Sequence, residues 1–275
     1  MLYLSTFGSV GTNSQLSFGA YVWSKNNSAK AYNPVRQQLS EVFGTMGNPA
    51  LKNTTTYNLY GSYTWTPSRI FSMSMSVNYT FDRNFTDIRY LPLDGVMYAV
   101  DNTDGNRNLL NISLQAPIKL MGGRLNFMPN ASMTHVHING GTPLNLWSGN
   151  AGMSIYWYPA DKWSINMSGY QLGLGKQFGG SGAWNEFRPA LSLSAGANFT
   201  PGNWNIGLSV NNLTDNDSRN KRFIRSRYLC QDSYEIFGMS GISVQLSVTY
   251  TFDYGKRVNH GNETRVQGST ISNVR

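Results

Sequence analysis

The sequence predicts an all-β protein, an antiparallel transmembrane β-barrel of about eleven strands, and three observations carry that reading. First, Met239 to Phe252 reads M-S-G-I-S-V-Q-L-S-V-T-Y-T-F. Ile242, Val244, Leu246, Val248, Tyr250 and Phe252 share one parity, and Ser243, Gln245, Ser247, Thr249 and Thr251 share the other. Strict period-2 alternation makes one face of a strand apolar and the other polar. The polar face here holds neutral hydroxyls and amides, which suits a barrel lumen. Second, the same pattern recurs along the chain. Third, its connections alternate between short and long.

The strands are expected in the order 2–10, 15–25, 51–66, 70–82, 107–120, 124–138, 144–158, 163–176, 190–200, 204–212 and 239–252. In Ile70 to Asp82, Phe71, Met73, Met75, Val77, Tyr79 and Phe81 oppose Ser72, Ser74, Ser76, Asn78, Thr80 and Asp82. In Trp204 to Asn212, Trp204, Ile206, Leu208 and Val210 oppose Asn205, Gly207, Ser209 and Asn211. The parity slips between Trp163/Ile165/Met167 and Tyr170/Leu172/Leu174, so a β-bulge or glycine kink is expected at Ser168 and Gly169.

Short turns fall at 11–14, 66–69, 121–123, 159–162 and 200–203, each with Gly, Pro, Asn or Asp. Between them lie the mostly longer connections 26–50, 84–106, 139–143, 177–186 and 213–238. Outer-membrane barrels have short periplasmic turns and longer extracellular loops, so the alternation assigns sides. The first strand then descends from Leu2, and the last descends to Phe252. Aromatics crowd the short turns: Trp65, Phe71, Tyr156, Trp157, Tyr158, Trp163, Phe199, Trp204, Tyr250 and Phe252. They read as a periplasmic aromatic girdle. The barrel is expected over 1–252, followed by a flexible periplasmic tail at 253–275, which is polar and without period.

Composition agrees. Only 13% of the 275 residues are charged, against about a quarter in a soluble domain, yet the mean hydropathy is −0.35. No apolar run is long enough for a transmembrane helix. The first residues have no basic start or apolar core, so they are not a signal peptide, which points to a mature product or a fragment. The strands are nearly charge-free, and the basic residues behind the net charge of +8 are dispersed or in loops, so no nucleic-acid partner is expected. Cys230 is the sole cysteine, so no intrachain disulfide can form.

Asn-x-Ser/Thr triplets abound, as at Asn78, Asn111, Asn130, Asn166 and Asn198. Polar residues at i and i+2 arise on any lumen face, so they are read as wall rather than glycosylation sites. Arg219, Lys221, Arg222, Arg225 and Arg227 form a basic run in the connection 213–238. Its plain reading is a solvated loop. Its functional reading is an extracellular contact to an anionic ligand or to lipopolysaccharide phosphate, for which the arginine fork is suited. His135 and His137 could share a face, but no further ligand lies near them in sequence, and no metal site is expected. Asp82, Asp87, Asp94, Asp101 and Asp104 do not match a calcium loop. No nucleophile elbow, zinc helix or phosphate loop is present, so neither an enzyme nor a cofactor is expected.

Two segments resemble a known family. Ser209-Val-Asn-Asn-Leu-Thr-Asp215 resembles the element before the last extracellular loop of TonB-dependent outer-membrane receptors. Ile242 to Lys256 resembles their closing strand, with Tyr250-Thr-Phe252 as its Y-x-F ending and a polar tail beyond it. The resemblance is to the C-terminal barrel portion, and also to the outer membrane β-barrel proteins related to these receptors. It implies energised uptake of a bulky nutrient across the outer membrane of a Gram-negative bacterium. The implied partners are outer-membrane lipid and lipopolysaccharide, an upstream plug and barrel half, TonB acting through the plug, and a ligand the sequence does not name. Plugged transporters have 22 strands, so an odd count of about eleven points to half of such a barrel. The alternatives are a complete 10- or 12-stranded passive barrel and a soluble all-β carbohydrate-binding module.

Overall fold

The computed structural model describes residues 2–140, 143–180, 183–187, 190–214, 218–237 and 241–252. The tail expected at 253–275 lies outside them. Among the described residues, seventeen strands form one sheet. Eleven are the expected wall strands: β1 (Leu2–Ser9), β2 (Ser14–Lys25), β5 (Thr54–Trp65), β6 (Met73–Leu93), β7 (Val96–Gln115), β9 (Leu125–Asn139), β10 (Leu144–Ala160), β11 (Trp163–Gly180), β13 (Ala190–Phe199), β14 (Trp204–Asn211) and β17 (Ser243–Tyr250). Each pairs antiparallel with the next. The sheet is open: among the described residues β1 pairs only with β2, and β17 only with β14. No helix among the described residues is long and apolar enough to cross a membrane.

The register follows the sequence pattern, because cross-strand partners lie on one face. Trp204, Ile206, Leu208 and Val210 of β14 oppose Tyr250, Val248, Leu246 and Val244 of β17. Asn205, Gly207, Ser209 and Asn211 oppose Thr249, Ser247, Gln245 and Ser243. The apolar face is unpacked by protein, with Val244 66% and Leu246 68% exposed. Such a surface is stable only against lipid. Asn78, Asn111, Asn130, Asn166 and Asn198 fall on the polar parity, and Asn78 and Asn111 are direct partners.

Three expectations are corrected. The connection 84–106 is not a loop, since β6 and β7 continue through it as a hairpin closed at Asp94-Gly95. Both residues have positive φ, 52° and 82°, which is the two-residue turn whose twist matches the strands. Bulges between Asp82 and Asp87 break the alternation there and hide the strand. Likewise 213–238 is a hairpin of β15 (Ser218–Arg225) and β16 (Cys230–Phe237). Third, Ser168 and Gly169 are regularly paired on both sides. The shift lies at Gln171–Leu174, so Tyr170 stays on the polar face.

The remaining short elements are α1 (Ala29–Tyr32), β3 (Gln37–Gln38), β4 (Phe43–Met46), β8 (Ile118–Leu120) and β12 (Ala183–Phe187). β8 is the end of the expected fifth strand, separated from β7 at Ala116-Pro117. Proline there can donate no ladder hydrogen bond. β4 pairs parallel with the upper part of β7.

Candidate functional site

The polar wall is a lattice of neutral hydrogen bonds. Ser17 meets Ser62 at 2.7 Å, Ser76 meets Ser113 at 2.6 Å, and the Ser132 hydroxyl donates to Asn150 at 2.9 Å. Asn58 is buried and donates to Asn78 at 2.9 Å and Thr80 at 2.8 Å. Such groups pair with one another, although the buried Asn58 Oδ1 has no partner among them, and they carry no net charge.

Toward the extracellular rim the character of this face changes. One register row joins Thr56, Asp82, Arg107, Ile138 and Leu144 across five strands. Arg107 donates from Nε to Asp82 at 2.8 Å, and the Thr56 hydroxyl donates to the same carboxylate at 2.5 Å. The Asp82 side chain is only 4% exposed, and the Arg107 guanidinium lies 4.3 Å from the Phe85 ring centroid. Beside this pair Val136, Ile138, Leu144 and Leu146 form a buried apolar cluster, packed on by Phe85, Leu109, Phe178 and Trp184. Phe178 and Trp184 reach it from upper β11 and β12, which pair from Lys176 onward, directly after Gly175 (φ +83°). A Cβ there would lie 2.2 Å from the Trp147 carbonyl oxygen, so only glycine fits.

The upper part of β11, with β12, β15 and β16, extends this surface as a small sheet. Register puts Phe178, Trp184 and Phe223 on one face, with Lys176, Glu186, Lys221, Arg225, Asp232 and Tyr234. Trp184 and Phe223 stack at 5.4 Å. Lys176 lies 5.3 Å from the Trp184 ring, Lys221 4.5 Å from Phe223 and 5.3 Å from Tyr234, and Arg225 5.2 Å from Phe223. Asp232 bridges Lys221 at 3.6 Å and Arg225 at 2.5 Å. The Tyr234 hydroxyl and then Asp232 raise the Lys221 pKa, while the Arg225 hydrogen bond lowers that of Asp232. Lys221, Arg225 and Asp232 therefore stay charged at neutral pH. Three cations against two carboxylates leave the face positive, with flat rings between the charges. Such a surface stacks planar groups and attracts anions.

The predicted basic run is thus divided. Lys221 and Arg225 are on the aromatic face, and Arg222 is on the reverse face, opposite Asn185. Arg227 is exposed in the hairpin turn, 5.4 Å from the Tyr228 ring. The Arg219 backbone pairs with Ile236, and its side chain lies outside the described residues. Behind the aromatic face, Arg222 Nε, Asn185 Oδ1 and Asp87 Oδ2 are buried without a hydrogen-bond partner in the protein. Burial pushes the Asp87 carboxyl up to about 6, against the backbone N–H of Ile88 that donates to it. Sequence reasoning missed Trp184, Phe223, Tyr234 and Lys176. Their signal was the i, i+2 spacing of Lys221, Phe223 and Arg225.

The other candidates have structural partners. His135 stacks on Trp147 at 4.1 Å and meets Asn145 Oδ1 at 2.7 Å, on the outward parity. Among the described residues no group of three His, Cys, Asp or Glu could hold a metal. Cys230 is free and exposed. Of the aromatics beside the turns, Trp65 meets Phe71 edge-on at 6.0 Å, Trp163 stacks on Phe199 at 4.5 Å, and Trp204 lies 4.7 Å from Tyr250. Tyr250 in turn meets Phe252 at 4.6 Å. Tyr156 departs from the expected girdle: it shares the lumen parity with Asn126 and Asn166, opposite to Trp157. Tyr158 donates its backbone N–H to the Arg124 carbonyl where β10 shifts register.

An open, antiparallel, lipid-faced sheet with a neutral polar inner wall defines the wall of an outer-membrane β-barrel. Residues 9–250 match the outer membrane protein beta-barrel family, and the chain belongs to it. No curated protein matches the sequence. Among solved structures the chain is similar to the siderophore receptor PirA from Pseudomonas aeruginosa, at 13% identity and a TM-score of 0.58, over 90% of this chain and 41% of that one. It is similar to the FrpB iron transporter from Neisseria meningitidis at 11% identity and a TM-score of 0.59, over 91% and 39%. It also resembles the outer membrane transporter YddB from Escherichia coli at 12% identity and a TM-score of 0.53, over 88% and 39%. At these identities the likeness is one of fold. The fold agrees with the resemblance to the barrel portion of TonB-dependent receptors, and the family match places the chain in the outer membrane. The chain spans about two fifths of the length of those structures.

Proposed function

We propose that this chain is the C-terminal barrel portion of a TonB-dependent outer-membrane receptor of a Gram-negative bacterium, taking up a bulky anionic nutrient. The observation that carries the reading is the direction of the sheet edges. Ten successive antiparallel pairings separate β1 from β17, so both edge strands run the same way. Joining them directly would make a parallel seam, whereas such barrels are antiparallel with an even strand number. An odd number of further strands closes the wall, and eleven more make 22. The ligand first meets the aromatic face of Trp184, Phe223 and Tyr234, where Lys221 and Arg225 select negative charge. The neutral wall below offers hydrogen bonds without fixing an ion.

The test is uptake by cells carrying the native-length gene. Accumulation of a radiolabelled ferric catecholate is expected to stop when the proton-motive force is collapsed, and to fall when Lys221 and Arg225 are both replaced by alanine. Passage that continues without energy makes the protein a passive barrel. A protein recovered from the aqueous phase without detergent makes it a soluble module.

A further inference from the structure

A cavity of about 470 Å³ lies between the connection 26–50 and the β6–β7 hairpin. Small-ligand sites run from about 300 to 1,000 Å³. Its floor is one face of a continuous piece of sheet. Gln37 of β3 opposes Thr45 of β4, and Thr45 opposes Ala99 of β7. Two residues along β7, Asp101 opposes Ile88 of β6. Alternate residues of a strand share a face, so these five point to one side, and all five line the cavity. The wall comes from the segment 28–36, which is fastened to the end of β4. Gly47 N–H donates to the Asn33 carbonyl at 2.9 Å, and Asn48 N–H donates to the Ala31 carbonyl at 2.7 Å. A Cβ at Gly47 would lie 2.3 Å from that Asn33 oxygen, so the close approach needs glycine. The Asn48 side-chain amide donates to the Asp101 carbonyl at 3.1 Å, and Arg36 pairs with Asp94 at 2.5 Å. The protein's own bonds therefore hold the frame of the cavity.

Three charged residues line it: Lys30, Arg36 and Asp101. Arg36 is matched by Asp94. Among the described residues neither the Lys30 ammonium nor the Asp101 carboxylate has an ion-pair partner. Burial pushes the Asp101 carboxyl above its ordinary pKa, and no neighbouring cation offsets the shift. A half-buried carboxylate without a partner is costly, and an arriving cation relieves that cost. Ser28, Gln37 and Thr45 add neutral hydrogen-bonding groups, and Met46 and Ile88 add apolar surface. We propose that this cavity binds a short zwitterionic peptide, with its ammonium end on Asp101 and its carboxylate end on Lys30. An anion alone would leave Asp101 unpaired, and a cation alone would leave Lys30 unpaired. A ligand charged at both ends pairs each, and its amide groups suit the neutral hydrogen-bonding groups between them. The site differs in chemistry from the aromatic face of Trp184 and Phe223, which is net positive, and it does not depend on energised uptake.

Titration calorimetry of the native-length protein in mild detergent, at neutral pH and low salt, tests this with trialanine as the probe. One saturable site is expected. N-acetyl-trialanine, which lacks the ammonium, and trialanine amide, which lacks the carboxylate, should each bind about tenfold more weakly or worse, as for a lost charge-assisted hydrogen bond. These two probes use the unaltered protein, so the comparison stands whether or not a variant folds. Asp101→Asn should weaken trialanine by a similar factor and leave N-acetyl-trialanine unchanged. Lys30→Ala should weaken trialanine and leave the amide unchanged. Equal binding of trialanine and its blocked forms, dependence on one charged end alone, affinity retained in both variants, or no saturable heat from trialanine would each overturn the proposal.

Discussion

Replacing Arg107 with methionine strands the most deeply buried charge in the described wall. The Asp82 side chain is 4% exposed and that of Arg107 24%. Removing one partner of a buried ion pair costs about 3–5 kcal/mol, because the other charge stays desolvated. Thr56 still donates to Asp82, and one such bond to a charged group offsets about 1.5–3 kcal/mol. That bond exists before and after the change, so it limits the loss rather than reversing it. The contact of Arg107 with Phe85 disappears as well, which adds about 0.5–1 kcal/mol. The expected cost is therefore at the middle of the range, about 4 kcal/mol. Asp82→Asn is milder, about 1–2 kcal/mol, since Asn keeps an acceptor for Thr56 and Arg107 is exposed enough to hydrate. The double variant should cost about 2 kcal/mol less than the two single changes summed, the coupling of a contacting pair. Urea unfolding in micelles, followed by tryptophan fluorescence at constant pH and salt, measures all three. A loss below about 1 kcal/mol for Arg107→Met, or strict additivity, would show an ordinary solvated pair and sink the argument.

Ile138 is 1% exposed at the centre of the rim cluster, so Ile138→Ala should cost about 2–5 kcal/mol in the same urea assay. Leu246→Ala, on the lipid-exposed face, opens no cavity and should cost much less. Asp87 keeps its proton up to about pH 6 in the fold, a higher pH than in the unfolded chain. Its contribution is therefore complete below the ordinary carboxylate pKa and is lost as pH rises to about 6. Asp87→Asn should remove that fall and leave the protein more stable than wild type at pH 8 in parallel urea titrations. Gly95 closes the outer hairpin at φ +82°. Gly95→Val should raise amide hydrogen exchange in 88–101 while leaving that of 107–115 unchanged.

The eleven wall strands were legible because, below the rim, each faces lipid on one side and a polar lumen on the other, so alternation in sequence maps directly onto parity in space. Leu246 and Ser247 could not exchange faces without placing hydroxyls in hydrocarbon. The extracellular part was not legible for the converse reason. There both faces of β6 and β7 are partly buried, as with Tyr90, Tyr98, Val100, Asn102 and Thr103, and no alternation survives. The register shifts near Asp82 and Phe85 add odd steps that a fixed period cannot follow. The Asp94-Gly95 turn did stand in the sequence as a hairpin signal. The basic run was legible as a contact for anions but not as an aromatic face, because Trp184 comes from β12 and is brought to Phe223 only by strand pairing. Tyr156 looked like a girdle residue from its neighbours alone, although its parity with Asn126 and Asn166 assigns it to the lumen.

The two faces exchange polarity at one level, and that exchange fixes where the bilayer ends. Outward, the row Leu59, Tyr79, Leu110, His135 and Trp147 gives way one pair higher to Tyr57, Phe81, Asn108, His137 and Asn145. On β7 to β10 the outer wall thus turns polar above Leu110, while Tyr79 reaches up to Asn108 with its hydroxyl at 2.7 Å. Inward, the same level brings the opposite change, from Asn111 and Thr134 to Leu109 and Val136, then Ile138 and Leu144. Below it the outside must be apolar and the inside wet. Above it water reaches the outside, and the inside has a lid of protein from upper β11 and β12 to pack against. A wall with no function at its rim has no need of a second apolar surface beyond the membrane. Among the described residues this one has it on the inner side, under Trp184 and beside the paired Asp82 and Arg107.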